Sequence, residues 1–205
     1  MVDSEGYLTA DDLAADPLEQ FDRWFRDAGR RGQMEVESGC LSTATTIGVP
    51  SGRIVLLKGY GPDGYTFFTN YTSRKAAELE ANPRAALTFY WPAVSRQVRV
   101  EGTAARVSRD ESRSYFASRP YESRLAAWAS KQSSPLGSRE LLDERIAELK
   151  KKYLETAGVP LPPFWGGYRI VPEALEFWQQ GPNRLHDRFR YERRPDGWTI
   201  LRLNP

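Results

Sequence analysis

Histidine occurs once in this 205-residue chain, at His186, and cysteine once, at Cys40. Each scarcity closes off chemistry. One histidine cannot furnish a two-histidine metal site, and a serine-histidine-aspartate arrangement would have to be built on His186. One cysteine excludes an intrachain disulfide and a cysteine-rich zinc site, and it suits a reducing compartment. Cys40 itself reads as a small buried residue. An excess of one charge is also missing: 29 basic residues against 27 acidic ones leave a formal net charge of +2, too little for a chain whose main partner is nucleic acid. Apolar runs are short and broken by charge, so no segment reads as a membrane span. Met1 to Ala10 carry Asp3 and Glu5 with neither a basic nor an apolar stretch; a secretory leader is not expected, and the cytoplasm is the expected compartment. No GxGxxG or GxxxxGK[ST] loop, internal repeat or low-complexity tract occurs, which argues against Rossmann and P-loop nucleotide sites.

What remains is an ordinary globular composition, 40% hydrophobic and 27% charged. A chain of this length buries roughly 70% of its unfolded surface, enough for one domain with a real core. Residues 16–205 are expected to form that domain, after an N-terminal segment, 1–15, expected to be flexible. Asp16, Pro17 and Glu19 are a helix start: a side-chain cap, a proline with φ already set, and an acid near the positive helix end. That helix should run to about Gly29, with Leu18, Phe21, Trp24 and Phe25 on one face. Short β-rich runs follow at Arg53 to Lys58, Tyr65 to Asn70, Ala85 to Trp91 and Gln97 to Ala104, read as an antiparallel meander. Ser73 could cap a short helix, Arg74 to Glu80, and Ser108 with Glu111 makes a capping box for a helix to about Ser118. Ser138 opens another, Arg139 to about Tyr153. Strands return at Gly167 to Trp178, Asp187 to Arg193 and Trp198 to Leu203. Two blocks of strands with helices between them predict an α+β protein: a closed or split β-barrel, mostly antiparallel, with helices packed outside.

Four segments could carry chemistry. In Arg53 to Lys58, alternation puts Arg53, Val55 and Leu57 on one side of a strand and Ile54, Leu56 and Lys58 on the other; the end cations invite an anion, though two surface cations would look the same. In Thr69 to Lys75, hydroxyls, the adjacent Arg74 and Lys75 and a helix N-terminus converge, as in a phosphate cradle or merely a capped helix with solvated charges. Tyr115 and Arg119 share a helix face, with Ser123 just past the breaking proline; they could hold a second phosphate, or Arg119 could simply neutralise a helix C-terminus. Arg184, His186 and Arg188 fall at period two, so on a strand they would form a row of nitrogen-rich groups suited to an anion or a ligand. On a surface strand, Asp187 and neighbouring acids could equally offset the arginines.

Taken in order, RIVLLKGY (53–60), FFTNYTSRK (67–75), ANPRAALTFYW (81–91), RQVRVEG (96–102), YFASRP (115–120), AAWASKQSS (126–134), WGGYRIVP (165–172) and EFWQQGPNRLHDR (176–188) resemble the pyridoxamine 5′-phosphate oxidase family. The likeness runs from about Asp16 to Pro205. It implies a homodimeric split barrel with FMN in clefts at the subunit interface. By position it implies FMN contacts at Arg53, Val55, Leu56, Lys58, Thr69, Ser73, Arg74, Lys75, Gln97, Gln132, Ser133, Trp178 and Arg188. Lys58, Tyr115, Arg119 and Ser123 match the cradle for a substrate phosphate, and Arg184 and His186 match the catalytic residues over the substrate's pyridine ring. The implied reaction passes hydride from pyridoxine or pyridoxamine 5′-phosphate to FMN and then to dioxygen, giving pyridoxal 5′-phosphate and hydrogen peroxide. No metal, nucleic acid or membrane is implied. Gln180 stands where the family has glycine, with Gly181 one place later, and Ala126 replaces a common glycine. Two other functions fit the same residues: a split-barrel flavin oxidase for another small aromatic, as in phenazine assembly, and a non-catalytic binder of FMN or pyridoxal phosphate.

Overall fold

Asp16 starts the first helix as its sequence predicts: its Oδ1 accepts from the Leu18 N–H at 2.8 Å, with Pro17 in the first turn. The computed structural model describes residues 7–205, and in it helix α1 spans Pro17–Arg30. Its inward face carries Phe21, Trp24 and Ala28, all buried. Phe21 meets Tyr60, Tyr65 and Phe89 edge to face at 5.0–5.4 Å between ring centroids. Burying one such ring contributes about 1.5–3 kcal/mol.

Nine strands follow, all antiparallel to their neighbours: β1 (Ser38–Ala44), β2 (Pro50–Leu56), β3 (Gly59–Gly61), β4 (Gly64–Asn70), β5 (Arg84–Trp91), β6 (Arg96–Arg106), β7 (Trp165–Gln179), β8 (Asp187–Arg194) and β9 (Gly197–Leu203). They form one sheet in the order β2-β1-β5-β6-β7-β4-β3, with β8 on β7 and β9 on β8. The sheet curls until its ends meet, where the Lys58 N–H donates to the Thr66 carbonyl at 2.8 Å. The expected α+β split barrel is present, with helices outside it. The sheet is not the simple meander expected from the strand runs. Helix α2 (Arg74–Ala81) carries the chain away from β4, so β5 pairs with β1, and β4 pairs with β7. Strand β6 bulges between Glu101 and Gly102, where a Cβ on Gly102 would lie 2.0 Å from the Val171 carbonyl oxygen. Only glycine permits that approach.

The remaining helices are α3 (Arg109–Ser118), α4 (Tyr121–Ala129) and α5 (Arg139–Lys152). Ser108 caps α3 through the Glu111 N–H, as the sequence predicts, whereas neither Ser73 nor Ser138 caps its helix with its side chain. Helix α4 and strand β1 were not expected. Phe116, Leu125 and Trp165 make a second apolar cluster beneath α3 and α4, while α5 buries none of its residues. In the segment expected to be flexible, residues 7–15 are tied down: Leu8 is buried and donates its N–H to Asp187, and the Ala14 carbonyl accepts from Tyr191. Residues 1–6 lie outside the described residues.

Candidate active site

Strand β2, the start of α2 and the end of α3 surround a cavity of about 650 Å³. Most of the sequence-predicted residues come together in its wall. Arg53, Val55 and Leu56 come from β2 and Lys58 from just beyond it, with Thr69 from β4 and Arg74 and Lys75 from α2. Tyr115, Arg119, Gln132 and Ser133 complete the group. The wall thus holds five cations and no carboxylate. Phe68 and Trp165, not anticipated, form its aromatic side, and Phe68 stacks on Tyr115 with centroids 4.0 Å apart.

Lys75 is the most enclosed of these cations, at 8% exposure. Its Nζ donates to Gln132 Oε1 at 2.9 Å, Thr69 Oγ1 at 3.1 Å and Ser73 Oγ at 3.3 Å, all neutral acceptors. Burial, reinforced by the charge of Arg53, pulls the Lys75 ammonium down to about 8. Ser73, expected as a cap, is instead fully buried and spends its hydroxyl on Lys75.

Arg119 lies 4.7 Å over the Trp165 ring. Its Nη1 is buried with no hydrogen-bond partner among the described residues, and burial lowers its pKa. Burial raises that of Tyr115 beside it. A half-buried guanidinium with an unpartnered N–H group is a strong donor site for an anion. Ser123, the third residue of α4, does not line this cavity.

The other expected residues form a second cluster, on β6, β7 and β8, outside the walls of that cavity. Trp178 is flanked by Gln97 on β6 and Arg188 on β8, and its ring packs against His186 at 4.6 Å. Glu176, 2% exposed, takes Arg188 Nε at 2.8 Å and Arg99 Nη2 at 2.7 Å. The row of Arg184, His186 and Arg188 expected on one strand does not form. Pro182–Arg184 make a 3₁₀ turn in which Asn183 and Arg184 have φ of 54° and 63°, and β8 begins only at Asp187. Gly181 makes this route possible, since a Cβ there would lie 2.0 Å from the Leu185 carbonyl oxygen. His186 is fixed by the Gly181 N–H, which donates to its Nδ1 at 3.3 Å.

Two family profiles cover this architecture: pyridoxamine 5′-phosphate oxidase over residues 28–153, and the pyridoxine 5′-phosphate oxidase C-terminal dimerisation region over residues 165–205. A pyridoxine/pyridoxamine 5′-phosphate oxidase of Rubrobacter xylanophilus is 55% identical over 97% of this chain and 91% of its own length. The chain belongs to the pyridoxamine 5′-phosphate oxidase family. A second member, the pyridoxine/pyridoxamine 5′-phosphate oxidase of Cupriavidus taiwanensis, is 53% identical over 98% of this chain and 94% of its own. Among solved structures, PhzG from Burkholderia lata 383, in complex with tetrahydrophenazine-1-carboxylic acid, superposes with a TM-score of 0.91. It is 32% identical and covers 98% of this chain and 100% of its own. A pyridoxamine 5′-phosphate oxidase-related, FMN binding protein from Nostoc punctiforme shares the fold at a TM-score of 0.72 and 17% identity, over 90% and 97% of the two chains.

Membership in this family supports a flavin as the bound group, and the cavity fits one by its own chemistry. A partnerless buried guanidinium, a desolvated lysine and a stacked aromatic wall together suit an anionic aromatic ligand. Among the described residues no cluster of His, Cys, Asp or Glu could hold a metal ion, and no helix is long and apolar enough to cross a membrane. One buried acid was missed by the sequence reading, Glu78 of α2, which lies against two of the cavity's arginines. Its position four residues after Arg74 was the available signal.

Proposed function

We propose that this chain oxidises pyridoxine and pyridoxamine 5′-phosphates to pyridoxal 5′-phosphate, with FMN as cofactor and dioxygen as acceptor, and works as a homodimer. The observation that carries this reading is a cavity walled by five cations and no carboxylate, in a chain of this family. A flavin phosphate and a substrate phosphate together bring roughly −3 to −4 charges at neutral pH, close to what five cations offset. Arg53, Arg74 and Lys75 hold the cofactor's phosphate, with Ser73 behind them on Lys75. Thr69, Gln132, Ser133 and the backbone at Val55 and Leu56 serve its ribityl chain and ring. Lys58, Tyr115 and Arg119 take the substrate's phosphate; Ser123, outside this wall, is not needed for that contact.

The chemistry supplied by bound FMN is uptake of hydride from the substrate and its delivery to dioxygen, which leaves as hydrogen peroxide. The chain's own work is positioning. Charge-assisted hydrogen bonds at the two phosphates fix both partners at one separation, and the Phe68–Tyr115 stack keeps water from one side. Trp178, Arg184, His186 and Arg188 of the second cluster belong to the segment that matches a dimerisation region. In a homodimer Gln97, Trp178 and Arg188 of one protomer reach the flavin held by its partner, and Arg184 and His186 lie over the pyridine ring. Ile54, 65% exposed beside the cavity, supplies apolar surface for that contact.

Purified protein should be yellow and release one peroxide per pyridoxine 5′-phosphate oxidised. Arg119→Ala should keep the flavin and raise the substrate KM strongly. The likeness to PhzG favours the second reading, an oxidase for an unphosphorylated aromatic acid. Turnover of such an acid that survives Arg119→Ala, with none of pyridoxine 5′-phosphate in the unmodified protein, would establish that reading instead. Flavin binding without peroxide release from any of these compounds would leave a binder rather than an enzyme.

A further inference from the structure

Glu78 is 6% exposed and is the carboxylate that touches the cationic wall from behind. Its Oε1 accepts from Arg74 Nε at 2.8 Å, one turn earlier on α2. Its Oε2 accepts from Thr43 Oγ1 and Ser51 Oγ, each at 2.5 Å, and lies 3.4 Å from Arg53 Nη2. Thr43 and Ser51 in turn accept from Arg53: Nη1 donates to Thr43 Oγ1 at 2.5 Å, and Nη2 donates to Ser51 Oγ. One carboxylate therefore joins α2, β1 and β2 and fixes both guanidinium groups. Burial opposes the charge on Glu78, but hydrogen bonds from Ser51, Thr43 and Arg74 outweigh it and hold the carboxyl down at about 2. It is therefore ionised at neutral pH.

The pattern of donors defines the role. By occupying Arg74 Nε, Glu78 leaves both terminal nitrogens of that residue, four N–H groups, for an anion in the cavity. Arg74 is otherwise more than half exposed, with 58% of its side chain accessible, and would sample many rotamers. A carboxylate at this place also lowers the positive charge of the cradle, so its presence is useful only if orientation outweighs that loss.

We infer that Glu78 is a positioning residue for the cofactor's phosphate, acting through Arg74 and Arg53. This rests on the reading of the cavity as a flavin-phosphate site. The test is flavin fluorescence quenching with the apoprotein, comparing FMN with riboflavin, which has the ring and ribityl chain but no phosphate. Glu78→Gln keeps the shape and removes the charge. It should weaken FMN binding about tenfold, the scale of one charge-assisted hydrogen bond, and leave riboflavin binding within twofold. In an Arg74→Ala background the same substitution should cost less than threefold. Equal losses for FMN and riboflavin, equal losses in both backgrounds, or tighter FMN binding from the removed negative charge would each overturn the inference. Unmodified protein that bound neither flavin would overturn the cavity reading first, and this inference with it. If the amide variant does not fold, Glu78→Asp keeps the charge and withdraws it by one methylene. The same FMN-selective loss is expected there, and an unselective loss would refute the role.

Discussion

If Lys75 holds the phosphate of a cofactor, as proposed, binding should weaken as pH rises through the range in which its ammonium titrates. In the protein without a bound anion, burial and the neighbouring Arg53 charge bring its ammonium down to about 8, so it loses its proton between pH 7 and 9. A phosphate placed against Nζ favours the charged form and returns the pKa upward, so binding above pH 8 takes up a proton. The protonated fraction of Lys75 in the free protein is then about 0.9 at pH 7, about one half at pH 8 and about 0.09 at pH 9. FMN affinity should therefore fall about tenfold from pH 7 to pH 9. The phosphate is already a dianion above pH ~6, so the slope belongs to the protein. The stability linkage has the opposite sense. Because the folded pKa lies below the unfolded value of 10.5, the unfolded chain binds more protons between pH 8 and 10.5. The anion-free protein thus gains stability from this group as pH rises through that window. Fluorescence titrations with FMN at pH 7, 8 and 9 and constant ionic strength measure the effect. Lys75→Met should bind weakly at all three values with no slope. A slope in the unmodified protein no steeper than in Lys75→Met would refute the reasoning.

Three further outcomes are expected. Arg119→Ala and His186→Ala should each show little activity at substrate concentrations well below the raised KM of Arg119→Ala, yet mixing them under conditions that exchange subunits should restore about a quarter of full activity, because half the dimers are hybrids with one intact site of two; no recovery despite verified exchange would place both residues in one protomer's site. Gly181→Ala should lower turnover with little loss of flavin, since the new methyl collides with the Leu185 carbonyl and displaces His186; unchanged kcat and KM would contradict that. Phe21→Ala should destabilise the fold by about 3–5 kcal/mol, read as a lower denaturant midpoint, and a shift below about 1 kcal/mol would show that the ring contacts of Phe21 with Tyr60, Tyr65 and Phe89 contribute little.

Local signals in the sequence were reliable where the local chain decides the outcome. Asp16-Pro17 begins α1 because a cap and a fixed φ act within one turn, and Ser108 caps α3 for the same reason. Strand β1 was not legible, since Ser38-Gly39-Cys40-Leu41-Ser42-Thr43-Ala44 has little β propensity and is held by ladders to β2 and β5. Arg74 and Lys75, adjacent in the chain, and Tyr115 and Arg119, four apart on a helix, share one cavity wall, so short-range spacing could group each pair. The row from Arg184 to Arg188 failed because period two presumes extended backbone, and Asn183 and Arg184 adopt positive φ. Glu78 shows the remaining limit: Arg74 is one helical turn away, but Thr43 and Ser51 lie 35 and 27 residues earlier. No spacing rule joins them.

The unpaired Nη1 of Arg119 and the dehydrated Lys75 are costs carried by the fold itself, and a ligand that relieves them binds only the native state. By mass action, any such ligand raises the stability of the native state in proportion to the logarithm of its concentration above Kd. Protein loaded with such a ligand should accordingly outlast the empty form under proteolysis.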